Sequence, residues 1–209
     1  MSHPGTARIG PQHRRDTGAA GVAGNAKLTA MTGAVLLLGF AIEGVTVLEV
    51  HRLLVVHFLV GLLLIGPVLL KIASTVYRFA RYYAGALPYV RKGPPAPLLR
   101  LLGPLVIVTS VAVLGTGVLL AIVGPGNGPW LFLHKASFIL WFGVMTIHVL
   151  NYAPRLPRLL SDRSGTGQGT AVVVASPARW LALAASLVVG VAVAAVTMQM
   201  SAKWGISFW

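Results

Sequence analysis

The sequence predicts an all-α polytopic membrane protein: a four-helix transmembrane bundle with a peripheral fifth transmembrane helix. Three observations predict it. The chain of 209 residues is 56% hydrophobic and only 10% charged, with mean hydropathy +0.80, a balance that belongs to membrane proteins rather than soluble domains. It contains five apolar runs of about twenty residues, each long enough to cross a bilayer. Gly- and Pro-rich turns or basic connections separate the runs.

The elements follow in order. Residues 1–27 are polar, Gly-rich and basic (Arg8, Arg14, Arg15, Lys27), and low hydrophobicity predicts a disordered tail. The first span lies near 28–48. It follows a long polar stretch and has no clear small-residue cleavage site, so it reads as a retained helix rather than a signal peptide. A tight turn at 49–51 leads to the second span, 52–73. A basic connection, 74–99, precedes the third span, 100–123. Gly-Pro-Gly-Asn-Gly-Pro at 124–129 is a second tight turn, and the fourth span covers 130–151. Residues 28–152 thus form the four-helix unit. Residues 153–178 are a linker, flexible by composition over the Ser-, Gly- and Thr-rich 161–176. The fifth span, 179–199, is Ala, Val and Leu with no internal charge, and a short tail ends at 209.

Charge fixes the expected orientation. All but three of the 17 Lys and Arg fall in the amino-terminal tail, in Lys71–Arg100, or in the linker before the fifth span. The exceptions are Arg52, Lys135 and Lys203. Positive residues stay in the cytoplasm, so the amino terminus is expected inside and the carboxyl terminus outside, in agreement with an odd number of spans. The same distribution accounts for the net charge of +13 without nucleic acid as a partner. Tyr77, Phe79, Tyr82, Tyr83 and Tyr89, interleaved with Arg78, Arg81 and Arg91, read as anchors at the bilayer interface. A docking surface for a cytoplasmic partner is the alternative. The chain has no cysteine, which excludes disulfides, covalent c-type haem attachment and cysteine-ligated iron–sulfur clusters.

The chemistry-bearing residues are two pairs with one spacing. His57 and Lys71 are fourteen residues apart in the second span, and His134 and His148 are fourteen apart in the fourth. That is close to four helical turns, so each pair shares a helix face and is separated by about 21 Å. Both spans run inward from the outer face. His57 and His134 are therefore expected at nearly one depth, about 8 Å below the outer boundary, and His148 and Lys71 near the inner face. Ionisable groups within spans mark sites, and imidazoles facing across a bundle core are haem ligands. Haem ligation by His57, His134 and His148 is the reading preferred over histidines that only hydrogen-bond between helices. Lys71 is read as a snorkelling cation, because it borders a basic segment, in preference to an iron ligand or a partner of a haem propionate. Met31 and His51 are further conceivable ligands. Gly61 and Gly143, near His57 and His148, allow close approach of a helix or a macrocycle. Glu43, at the depth of the outer histidines, is placed for a second-shell hydrogen bond or a proton relay.

The fourth span, LHKASFILWFGVMTIHVLNY from Leu133 to Tyr152, and the second, HFLVGLLLIGPVLLKIASTVYRF from His57, resemble bacterial di-haem b-type membrane cytochromes of the cytochrome b561-like kind. The resemblance covers 28–152. It implies two haems b held by four helices, one near each membrane face and each ligated by two histidines. It also implies electron transfer between a quinone and a redox partner protein in the bacterial plasma membrane. This chain departs from the family in having Lys71 where the fourth histidine would stand. It is also similar to small actinobacterial membrane proteins with KIAS, RFARYY and RKGPP-like segments.

The expected function is thus a membrane cytochrome b subunit that moves electrons across the bilayer through one or two haems b, with quinone as a further candidate cofactor. No nucleotide-binding fingerprint occurs, so substrate chemistry would belong to a partner subunit. The runner-up is a haem-free structural or assembly subunit of a larger membrane complex. A transporter or proton channel on Glu43, His57 and Lys71 fits less well, because no inverted repeat is visible. Hydrolytic chemistry lacks a carboxylate pair or a nucleophile–base spacing.

Overall fold

The computed structural model describes residues 11–94, 97–126, 128–155, 157 and 176–205. These fold as six α-helices: α1 (Pro11–Leu48), α2 (Val50–Tyr83), α3 (Leu87–Lys92), α4 (Pro97–Val123), α5 (Gly128–Tyr152) and α6 (Pro177–Met198), with 3₁₀ turns at Ala153–Arg155 and Gln199–Trp204. No strand occurs among the described residues. Five helices are long and apolar enough to cross a membrane: Gly21–Leu48 within α1, and all of α2, α4, α5 and α6. The protein is therefore an all-α, multi-pass membrane protein.

Helix α1 begins at Pro11, so the stretch 11–27 expected to be a disordered tail is helical. The apolar span supplies the costly helix nucleus, and the Ala- and Arg-containing stretch before it propagates that nucleus at little cost. The remainder of the tail, and residues 156 and 158–175 of the linker expected at 153–178, lie outside the described residues.

Helices α1 and α2 form one antiparallel hairpin, joined only by Glu49, and α4 and α5 form a second. Helix α2 is central: α1, α4 and α6 all pack on it. Leu36, Leu64 and Val68 are its buried apolar core, with Phe40, Val60, Ile72 and Leu114 against them. Helix α5 leans on α4, and its backbone stays apart from α1 and α2. The two hairpins therefore enclose space that side chains, rather than close helix packing, must fill.

Two glycines with positive φ, Gly85 (73°) and Gly93 (78°), fold the chain after α2 back on itself. Left-handed backbone of this kind suits glycine. It lays α3 along the ends of α1 and α2 and buries Tyr89, whose ring meets Tyr77 edge-on at 6.1 Å. Arg81 sits over the Tyr89 ring at 5.9 Å, a cation–π contact.

Candidate functional site: two polar sites between the hairpins

At the end of the bundle where α1 meets α2, His57 and His134 face each other across the gap between α2 and α5. Their ring centroids are 6.3 Å apart and the planes cross at 74°. His57 Nδ1 lies 3.1 Å from Glu43 Oε1 and 3.0 Å from Thr46 Oγ1. Thr46 donates its own proton to the Glu43 carbonyl at 2.6 Å, which leaves its oxygen to accept. With Glu43 ionised, Nδ1 of His57 donates to its carboxylate and Nε2 carries the lone pair. His134 repeats the arrangement with α4. Its Nδ1 is 3.2 Å from Thr116 Oγ1, and Thr116 donates to the Ala112 carbonyl at 2.7 Å. Ser137, one turn on, bonds Thr116 Oγ1 at 3.1 Å.

Glycines make this room. A Cβ on Gly117 would stand 3.1 Å from His134 Cε1, and one on Gly61 3.0 Å from Glu43 Oε1. Gly61 therefore admits the carboxylate. A Cβ on Gly143 would meet nothing. His51 is exposed at the start of α2.

Toward the other end, Phe40 of α1 packs on Trp141 of α5 with centroids 4.7 Å apart. Trp141 is buried, and its Nε1 donates to Ser110 Oγ at 3.0 Å. It lies seven residues from both His134 and His148, on their face of α5.

Beyond this aromatic layer is a cavity of about 470 Å³ between the hairpins. Lys71 and His148 both line it, together with Gly33, Phe40, Arg78 and Lys92. Lys71 Nζ donates to the Thr29 carbonyl of α1 at 2.6 Å. A Cβ on Gly33 would come within 2.9 Å of that ammonium, so glycine is what lets the lysine reach α1. Asn25, Thr29 and Ser74 extend the contact: Asn25 Nδ2 donates to the Ser74 carbonyl at 3.1 Å, and Thr29 Oγ1 lies 3.0 Å from Ser74 Oγ. His148 differs from the other two histidines. Its ring stacks near Tyr152 at 4.7 Å, and its buried Nδ1 has no partner among the described residues. Met31 is buried on α1.

The spacing at the first site can be tested against a haem iron. A metal–imidazole nitrogen bond is about 2 Å and the ring centre lies about 1.1 Å behind the nitrogen, so two axial imidazoles have centroids about 6.3 Å apart. The 6.3 Å between the His57 and His134 centroids matches that spacing. No group of three or more His, Cys, Asp or Glu arranged to hold a metal ion occurs among the described residues. Iron in a porphyrin needs only two axial ligands from protein, since the macrocycle fills the other positions.

Of the residues singled out in the sequence, Glu43, His57 and His134 come together at one site, and Lys71 and His148 at the other. Thr46, Thr116, Gly117, Trp141 and Phe40 carried no sequence signal of their own. Threonines in membrane helices ordinarily bond their own helix carbonyls, which hides any second partner. No family model matches the chain, and neither a curated protein nor a solved structure matches it.

Proposed function

We propose that this chain is a membrane cytochrome b of the cytochrome b561-like kind: an electron-transfer subunit that holds haem b between His57 and His134. One observation carries the reading: the imidazoles stand at the spacing of two axial ligands, each with Nδ1 already engaged by a neighbour. A hydrogen bond at Nδ1 fixes tautomer and ring orientation and raises the basicity of the coordinating nitrogen. When bound, haem b supplies a one-electron iron couple. The chain's own residues hold the two rings, place the Glu43 carboxylate against one of them, and exclude water with Phe40 and Trp141.

A second haem would take His148 in the cavity beyond Trp141. Lys71 already donates to Thr29, which favours an ammonium charge over an iron ligand. On the positive-inside reading the His57–His134 site lies near the outer face of a bacterial plasma membrane and the Lys71 cavity near the cytoplasm. Two such sites about 21 Å apart along the helix would carry electrons across the bilayer, between a quinone and a partner oxidoreductase.

The test is the oxidised and reduced visible spectrum of the purified protein, with haem counted per chain, for the wild type, His57→Ala and His134→Ala. Either substitution should remove one haem and leave the helical content unchanged. Wild-type protein without a Soret band, after expression with ample haem, sinks the reading and leaves a haem-free structural subunit.

A further inference from the structure

The cavity at the Lys71 end presents a charge imbalance that the haem reading does not use. Its walls are apolar, formed by Leu36, Phe40, Val68 and Ile107. Three cations line it, Lys71 and Arg78 from α2 and Lys92 from α3, and no acidic residue stands among its described lining. Lys71 is occupied by the Thr29 carbonyl. Arg78 and Lys92 both line the cavity, and the turn through Gly85 folds α3, which carries Lys92, back on α2. Partial burial, then the charge of Arg78, hold the Lys92 ammonium below its ordinary value, so the two like charges feel each other. Cations that only anchor a helix at the interface spread into water or onto an aromatic ring, as Arg81 does over Tyr89. Two that converge over an apolar cavity are the complement of an anion with an apolar body. At about 470 Å³ the cavity has the size of an ordinary ligand pocket, about 300–1,000 Å³. Basic pockets between membrane helices on the cytoplasmic side hold acidic headgroups.

We propose that this cavity binds an amphiphile whose apolar body lies against Leu36, Phe40 and Val68 and whose carboxylate or phosphate rests on Arg78 and Lys92. Two sources carry this chemistry: the propionates of a haem held by His148, and the phosphate of an anionic phospholipid. The first rests on the proposed function, and the second stands without it.

The experiment compares wild-type protein in mild detergent with Arg78→Gln/Lys92→Gln, Lys92→Gln and Arg78→Lys. Haem per chain is counted by absorbance. Retained lipid is read by native mass spectrometry after delipidation and titration with phosphatidylglycerol or phosphatidylcholine. Each interfacial cation contributes a factor of about five, so the double variant should bind about 30-fold more weakly, Lys92→Gln about fivefold more weakly, and Arg78→Lys nearly as wild type. Phosphatidylglycerol binding in preference to phosphatidylcholine, lost in the double variant, identifies the lipid. A second haem lost from the double variant, while the first remains, identifies the propionates. The single Lys92→Gln change on the short helix α3 keeps the question open to measurement should the double variant not fold. The proposal is overturned by wild-type protein with neither a second haem nor a preference for the anionic lipid, or by Lys92→Gln and foldable double variants that bind as wild type does. A protein without any haem but with selective lipid binding would defeat the cytochrome reading and leave this one intact.

Discussion

The Glu43 carboxylate lies 3.1 Å from His57 Nδ1 between α1 and α2. A carboxylate that accepts from Nδ1 makes the imidazole a stronger electron donor and so favours oxidised iron. Glu43→Gln keeps an acceptor at the same place, still beside Thr46, but removes the charge. If His57 holds haem as proposed, that haem should then become easier to reduce, by about 60 mV for a tenfold change in a one-electron couple. Spectroscopic redox titration of wild type and variant reads this directly. A midpoint that does not move would show that Glu43 serves packing rather than the iron. Glu43 was legible from its depth in the span. Its partner Thr46 was not, because a threonine buried on a membrane helix looks the same in sequence whether or not its oxygen accepts a second bond.

At the scale of the helices, α2 and α6 meet through missing side chains. Pro67 is buried within α2 and has no N–H for the Leu63 carbonyl one turn earlier. That oxygen lies against Gly190 of α6, where any Cβ would collide with it. Reciprocally, a Cβ on Gly66 would collide with the Ser186 carbonyl of α6. Close approach of this kind, with Cα–H groups near a carbonyl freed by proline, replaces some of the lost bonding. Gly66→Ala and Gly190→Ala must therefore push backbone from backbone. Each should cost about 1–3 kcal/mol, or roughly 3–10 °C in melting temperature for a chain this size. Gly143→Ala, where nothing stands within 4 Å, should melt as wild type. Equal melting of all three would mean that α6 is not seated on α2. The five spans and their order were legible because twenty-residue apolar runs have few alternative fates. The seat of α6 was not. Its buried stripe of Leu183, Ser186, Gly190, Ala194 and Thr197 is visible as small residues at helical spacing, but nothing in the sequence says which helix receives it. The pairing of His57 with His134 was legible from depth, whereas the gap that lets them face each other depends on α5 leaning away from the first hairpin.

For the molecule as a whole, direction across the membrane decides what the two sites can do. The His57–His134 site and the Lys71 cavity lie at opposite ends of the spans, so orientation determines which of them meets the cytoplasm. The absence of cysteine makes the question answerable with single introduced thiols. Gly126 lies in the turn between α4 and α5, at the His134 end, and a Cβ there would meet nothing. Ala84 is exposed just after α2, at the Lys71 end. Positive residues concentrate at the Lys71 end, and the positive-inside rule therefore predicts that this end faces the cytoplasm. In intact cells, a membrane-impermeant maleimide should label Gly126→Cys and spare Ala84→Cys, and both should react once the membrane is opened. Gly126 is open and Ala84 exposed, so the substitutions report orientation rather than damage. The opposite pattern would place the paired histidines toward the cytoplasm and the cationic cavity outside. On the proposed cytochrome reading, electron entry and exit would then be exchanged, and on the proposed lipid reading the acidic lipid for Arg78 and Lys92 would come from the other leaflet.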